Sequence, residues 1–305
     1  MSARNASMAM RFFQRIGLER VAWSLRRLHC PVDRDALVLE VGSGGNPYAR
    51  ADVLLDAYEN TRERHWAPLK TDRPTVLGFV ERLPFCDKAF DFVIASHVLE
   101  HSADPERFLA ELQRVAKAGY IEVPDAFFER LNPYRDHRLE ITQRNGKLVI
   151  RKKPGQIVDR DLVELYEDRA KKYVTRHLFP RYPFAFHVRF YWQGTISYVL
   201  LNPQADAGWI APEDMMAANP APGVRQRVQG AVLDILRSIA GRLRRRKSVD
   251  LLQLLRCPVC ENEKLQTVLD GILCGGCHRT YPVRNGVALM QESAAVDATD
   301  RIARK

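Results

Sequence analysis

Four cysteines near one end of the chain, Cys257, Cys260, Cys274 and Cys277, form two C-x-x-C pairs separated by thirteen residues. Four thiolates on two tight turns suit one tetrahedral Zn2+ and leave no coordination position open, so such a site holds a fold together and performs no reaction. One pair alone would read equally well as a redox motif, but the doubled spacing favours structural zinc, with His278 surplus as a ligand. A second chemical grouping lies in residues 37–56, LVLEVGSGGNPYARADVLLD. There Gly42, Gly44 and Gly45 let the backbone approach a ligand closely, Glu40 can accept hydrogen bonds over the turn, and Asp56 can accept both hydroxyls of a ribose. A third grouping is His97, His101 and His137, from which an oxygen acceptor could draw a general base, with Glu122 and Asp125 placed to orient it. His97 and His137 are the leading catalytic candidates, and a hydrogen-bonded structural role is the alternative for each.

These groups need particular elements beneath them. Residues 37–41 are apolar almost throughout, as expected of a strand buried on both faces of a parallel sheet, and residues 53–55 repeat the pattern. The loop between them lacks the third glycine of a dinucleotide fingerprint, because Asn46 and Pro47 follow Gly45, and no Lys-Ser or Lys-Thr makes it a phosphate-cradling loop. Residues 75–123 read as strand, loop, strand, helix, strand. Ser96 to His101 falls just past the carboxyl end of the strand at 90–95, where open α/β sheets place ligands. Asp104 and Pro105 open a helix with Phe108, Leu109, Leu112, Val115 and Ala116 along one stripe. Gly119 is expected to stop it, and residues 120–123 to form the next strand. Residues 139–150 predict a hairpin turning at Asn145-Gly146, residues 158–173 a helix, and residues 186–192 and 195–201 two strands for an antiparallel edge.

With three linked motifs in hand, residues 36–125 resemble the class I S-adenosylmethionine-dependent methyltransferases of the small-domain type often called type 11. The resemblance implies an α/β fold, a Rossmann-like, mostly parallel seven-stranded sheet with helices on both faces, and S-adenosyl-L-methionine as cofactor. By it, Glu40, Gly42 and Gly44 would line the methionine part, Asp56 would bind the ribose, Leu83 to Phe85 would flank the adenine, and Ser96 to His101 would border the methyl-transfer cleft. Asn46 stands in place of the usual third glycine. Phe79 stands where many members carry an aspartate that reads the adenine amino group, so that backbone groups or Glu81 would substitute and the ring would pack on adenine. Residues 250–291, including YPVRNGV, are similar to the small zinc-ribbon activator subunits of tRNA, rRNA and release-factor methyltransferases, which implies an activator fused to its enzyme. The expected organisation is an N-terminal helix (1–30), a methyltransferase domain (31–201), a linker with a basic amphipathic helix (202–249), a zinc ribbon (250–291) and a tail (292–305).

A chain of 305 residues has room for one sizeable α/β domain and a small appendage. The net charge of +10 is concentrated in residues 225–247, where Val228, Val232, Ile235, Leu236, Ile239 and Leu243 recur at helical spacing. Such a helix could lie on an anionic membrane surface, contact RNA, or pack its apolar stripe on a domain. No apolar run reaches the about 20 residues that span a bilayer, and no secretory leader is evident. Only Cys30 and Cys86 lie outside the paired motif, which argues for a reducing cytoplasm, with the inner face of the membrane as a peripheral site. The expected function is methyl transfer to a small molecule or saccharide at oxygen, because I-E-V-P-D replaces the N-P-P-Y signature of amide and exocyclic-amine methylation. The alternatives are an RNA- or protein-modifying methyltransferase, or a methyltransferase-fold binding protein without catalysis. The methyl acceptor and the oligomeric state are not legible.

Overall fold

The computed structural model describes residues 5–61, 68–156, 159–209, 239, 241, 245, 248–269 and 271–294. In chain order its strands are β1 (Val38–Val41), β2 (Val53–Asp56), β3 (Thr75–Leu77), β4 (Phe90–Ser96), β5 (Ala116–Pro124), β6 (Leu139–Arg144), β7 (Lys147–Lys152), β8 (His187–Gln193), β9 (Tyr198–Leu200), β10 (Leu265–Val268), β11 (Gly271–Cys274), β12 (Thr280–Arg284) and β13 (Val287–Leu289). The helices that matter below are α1 (Met8–Arg15), α2 (Glu19–Leu25), α3 (Pro105–Val115), α4 (Ala126–Leu131) and α5 (Arg160–Leu165). The chain forms two compact units, one of Met1–Pro31, Ala95–Pro105 and Tyr120–Leu243, the other of Val32–Ile94, Glu106–Gly119 and Arg244–Lys305.

In the unit that holds the glycine loop, the strand order is β10-β11-β12-β13-β3-β2-β1-β4-β5. Strands β1, β2 and β3 are parallel, registered Leu39 on Val53 and Leu55 on Val76, and every residue in them is buried. Burial on both faces is why their sequences are continuous apolar runs without alternation. The chain steps outward from β1 to β3 and then returns to place β4 beside β1, the reversal at which open α/β sheets hold ligands. The C-terminal segment joins the same sheet: β13 pairs in parallel with β3, Val287 on Thr75, Ala288 on Val76 and Leu289 on Leu77. An isolated bridge joins Phe85 to Leu255, Cys86 N donates to Leu254 O (2.8 Å), and Arg256 N donates to Pro84 O (3.1 Å). Phe85, Leu255 and Met290 are almost fully buried around these contacts.

The other unit contains the second half of β5 beside β8, and a separate sheet in the order β6-β7-β9. The expected hairpin is present, with Asn145 (φ 49°) and Gly146 (φ 75°) at the turn and Leu139, Ile141, Leu148 and Ile150 buried along one face. Residues 195–201 do not supply an edge strand to the main sheet. Instead β9 pairs in parallel with the open edge of β7, where Leu148 N donates to Ser197 O and Leu201 N to Ile150 O, both at 2.9 Å. At the N-terminus two helices replace one: Gly17 (φ 75°) breaks the chain between α1 and α2. Ala6, Met10 and Ala22 form a small core there, with Phe13, Leu25 and Phe184 packed against it.

Gly119 does not end α3, since β5 begins at Ala116 and includes it. The last carbonyls of the helix are met by Lys88, whose Nζ donates to Gln113 O and to Ala116 O (3.0 Å), so no glycine cap is needed. The helix expected at 158–173 starts at Arg160 with Asp159 as its cap and continues, partly in wider turns, as far as Arg181. The basic helix expected at 225–247 lies outside the described residues except for Ile239, Gly241 and Arg245. Among the described residues, no helix is long and apolar enough to cross a membrane.

Candidate functional site

The glycine loop starts where β1 ends. Gly42 (φ 64°) and Gly44 (φ 56°) adopt left-handed backbone, which side chains with a Cβ rarely tolerate. Glu40 is buried and turned onto its own loop, where Oε2 accepts from Tyr48 N at 2.7 Å. Asp56, at the end of β2, accepts from Gly44 N through Oδ2 (2.9 Å) and from Tyr58 N through Oδ1 (3.2 Å). Four of the expected cofactor residues, Glu40, Gly42, Gly44 and Asp56, thus meet in one loop. Asp56 also sits opposite Leu77 in the β2–β3 register, and two residues beyond each strand come Tyr58 and Phe79. Both rings are substantially exposed, at 47% and 40%, and they pack edge to face with centroids 5.7 Å apart.

Leu83 serves this region through its backbone. Its side chain is buried, its amide donates to Glu111 Oε2 (2.7 Å), and its carbonyl accepts from Arg114 Nη2 (2.8 Å). Arg114 Nη1 also donates to Phe85 O (2.7 Å), so two α3 side chains fix the loop from Leu83 to Phe85. Glu81 lies in a short 3-10 turn just before it, half-buried.

Ser96, His97 and His137 belong to the other unit, where a buried charge network surrounds them. Glu122, fully buried in β5, accepts from Arg26 Nε (2.8 Å) and Nη2 (3.1 Å), from Ser96 Oγ (3.1 Å) and from Tyr120 OH (2.5 Å). His97 has a positive φ of 58° and lies between two carboxylates, Nδ1 3.3 Å from Glu100 and Nε2 3.4 Å from Glu122. Burial alone would discharge this imidazole, but Glu100 and Glu122 outweigh it and raise its pKa to about 9. Burial likewise opposes ionisation of Glu100, yet His97, then His137 and His101, bring its pKa down to about 2. For Glu122 the same opposition is overcome by His97 and Arg26, which carry it well below the usual carboxylate range. A cationic His97 holds both ring protons and cannot serve as a base in that state. Facing it, with ring centroids 5.3 Å apart, is His187, which burial and the nearby positive charge hold neutral, with a pKa lowered to about 4.

His137 is oriented separately. Its Nδ1 lies 2.7 Å from Glu129 Oε2, Tyr134 stacks on its ring, and Glu129 Oε1 accepts from the buried Lys153 Nζ at 2.8 Å. Asp125 is occupied as the cap of α4, accepting from Phe127 N (2.9 Å) and from Thr142 Oγ1 (2.7 Å). Arg26, Glu129, Lys153 and His187 had no sequence motif to mark them. Glu100 did carry a weak signal, three residues from His97 at the end of a strand.

The four cysteines come together. Cys257 and Cys277 Sγ are 3.7 Å apart, and Cys260 and Cys274 Sγ are 3.5 Å apart. Thiolates about 2.3 Å from a tetrahedral zinc are separated by about 3.8 Å, so the cluster fits zinc. Glu261 (φ 61°) and His278 (φ 56°) close the two knuckles in left-handed turns, and the ligand group is the four cysteines without His278.

Residues 39–121 match the family model described as "Methyltransferase domain", over a stretch that folds as the parallel α/β sheet described above. An uncharacterized protein of Methanocaldococcus jannaschii is 26% identical over 146 residues, 47% of this chain and 55% of that protein, so the chain spans about half the length of this curated relative. A solved complex of the Haloferax volcanii Trm112 methyltransferase activator with a methyltransferase is 17% identical, with a TM-score of 0.37, over 62% of this chain and 95% of that one. A Mesorhizobium loti S-adenosylmethionine-dependent methyltransferase is 12% identical, with a TM-score of 0.34, over 57% of this chain and 97% of that one.

Proposed function

We propose that the protein is an S-adenosylmethionine-dependent methyltransferase that transfers the methyl group to oxygen of a small molecule or saccharide. The observation that carries the cofactor assignment is the closure of the glycine loop on Asp56, inside the stretch that matches the methyltransferase family model. In this reading Asp56 holds the ribose hydroxyls, and Phe79 with Tyr58 gives the adenine an aromatic wall in place of a carboxylate. Methyl transfer needs alignment above all, since the cofactor supplies the electrophile. Oxygen as acceptor atom accords with the absence of the amide-methylation signature.

The C-terminal segment would act as a built-in zinc ribbon. It supports this role that β13 lies along β3, that Met290 N donates to Leu77 O (2.8 Å), and that Gln291 donates to Ala57 O, next to Asp56. Zinc held by Cys257, Cys260, Cys274 and Cys277 would thus stiffen the two strands that end at Asp56 and Leu77. Calorimetry with S-adenosylmethionine on the full chain tests the assignment. Binding that Asp56→Ala abolishes supports it, and no binding at millimolar cofactor removes the enzyme reading. Labelled cofactor with fractionated extract then separates small-molecule and saccharide acceptors from RNA and protein.

A further inference from the structure

Glu100, His101 and His137 form a second cluster of ligating side chains, in the unit that does not hold the four-cysteine cluster. One ligand atom from each lies within 4.8 Å of the other two. Glu100 is 2% exposed, and neither carboxylate oxygen has a well-formed hydrogen bond; its polar contact is the ion-pair distance of 3.3 Å to His97. Beyond the ion pair with His97, a carboxylate desolvated this fully gains from further positive charge, which a metal ion supplies.

The two histidines are set as metal ligands usually are. His101 Nδ1 lies 3.1 Å from the carbonyl of Asp136, which can only accept, so Nδ1 carries the proton. His137 Nδ1 lies 2.7 Å from the Glu129 carboxylate and is fixed the same way. In its neutral form each ring then carries its lone pair on Nε2. A histidine whose far N–H is held by a carbonyl or carboxylate is the common outer arrangement of a metal site, because it fixes the tautomer and raises ligand basicity. Here that outer arrangement is itself braced. Glu129 is 2% exposed and accepts from Lys153 Nζ (2.8 Å) and Tyr134 N (3.2 Å), and the rings of His101 and His137 meet edge to face at 4.8 Å.

We infer that Glu100, His101 and His137 form a binding site for a divalent first-row cation, distinct from the four-cysteine cluster. One carboxylate and two imidazoles suit Mn2+, Fe2+ or Zn2+, and three protein ligands leave positions open to water or to an oxygen-bearing molecule. The inference does not depend on the methyl-transfer reading. Mn2+ separates the two metal sites, because thiolates do not favour it and nitrogen and oxygen donors do. Full-length protein dialysed against a mild chelator is titrated with Mn2+ alone, and the free-ion EPR signal is followed. The expected result is one Mn2+ bound per chain, lost in Glu100→Gln and in His101→Asn, and weakened about 10- to 100-fold in Glu129→Gln, which alters only the outer arrangement. Circular dichroism establishes that each variant is folded. The absence of bound Mn2+ in the wild type, or binding undiminished in folded Glu100→Gln or folded His101→Asn, overturns the inference.

Discussion

Replacing Glu122 by glutamine keeps its shape and removes its charge. The carboxylate receives four hydrogen bonds from Arg26, Ser96 and Tyr120, and the Arg26 side chain it pairs with is only 10% exposed. In Glu122→Gln the guanidinium keeps Trp23 O (2.9 Å) and the Trp23 ring (3.6 Å), but no carboxylate, and an NH2 group now faces donors. Breaking a buried pair from one side costs about 3–5 kcal/mol. That is a large share of the about 5–15 kcal/mol that stabilises a typical domain, and it corresponds to about 6–20 °C in melting temperature for a chain region of 150–250 residues. The double variant Arg26→Met/Glu122→Gln removes both charges and should be less destabilised than the sum of the single changes. The pH dependence has a definite sign. The Glu122 pKa is depressed in the folded chain, so its stabilisation is present above the unfolded value of about 4.3 and is lost as pH falls through the folded one. Urea denaturation followed by far-UV circular dichroism at neutral pH and through the acid range reads both effects. A Glu122→Gln midpoint within about 0.5 kcal/mol of the wild type, or an unchanged acid limb, would refute the reasoning.

Three further outcomes are expected. Phe79→Ala should cost about 1–3 kcal/mol of cofactor affinity if the ring stacks on adenine, measured by calorimetry, with the fold intact because the side chain is 40% exposed. Gly271→Ala should destabilise by about 1–3 kcal/mol or more, since its Cβ would lie 2.1 Å from Tyr281 O across the β11–β12 pair; thermal melts and zinc content read it. Stripping zinc with a strong chelator, or Cys274→Ser, should deprotect the Arg256 and Met290 amides in hydrogen exchange and lower cofactor affinity, because those amides bond to Pro84 O and Leu77 O.

Much of the unit that holds the glycine loop was legible from the sequence because its constraints are local. Continuous apolar runs mark strands buried on both faces, and glycines between such runs mark a close turn, so β1, β2, β4 and the loop from Gly42 to Gly44 could be placed by pattern alone. The four cysteines were equally plain, since two C-x-x-C turns are enough to bring four thiols together. Where the sequence misled, a distant group had replaced a local signal: Lys88 caps α3 in place of Gly119, and the edge of β7 draws β9 away from the main sheet.

By itself, then, the sequence determined the methyltransferase-type loop, the acid at the end of β2 and the two cysteine knuckles, each set by residues within one or two elements. Tertiary structure alone decided the rest. It gave Arg26 to Glu122 across ninety-six positions, oriented His137 through Glu129 and Lys153, and laid β13 along β3 more than two hundred residues away. The physical reason is that a buried charge is defined by its partners, and a sheet edge by whichever strand reaches it. Neither is written in the spacing of neighbouring residues.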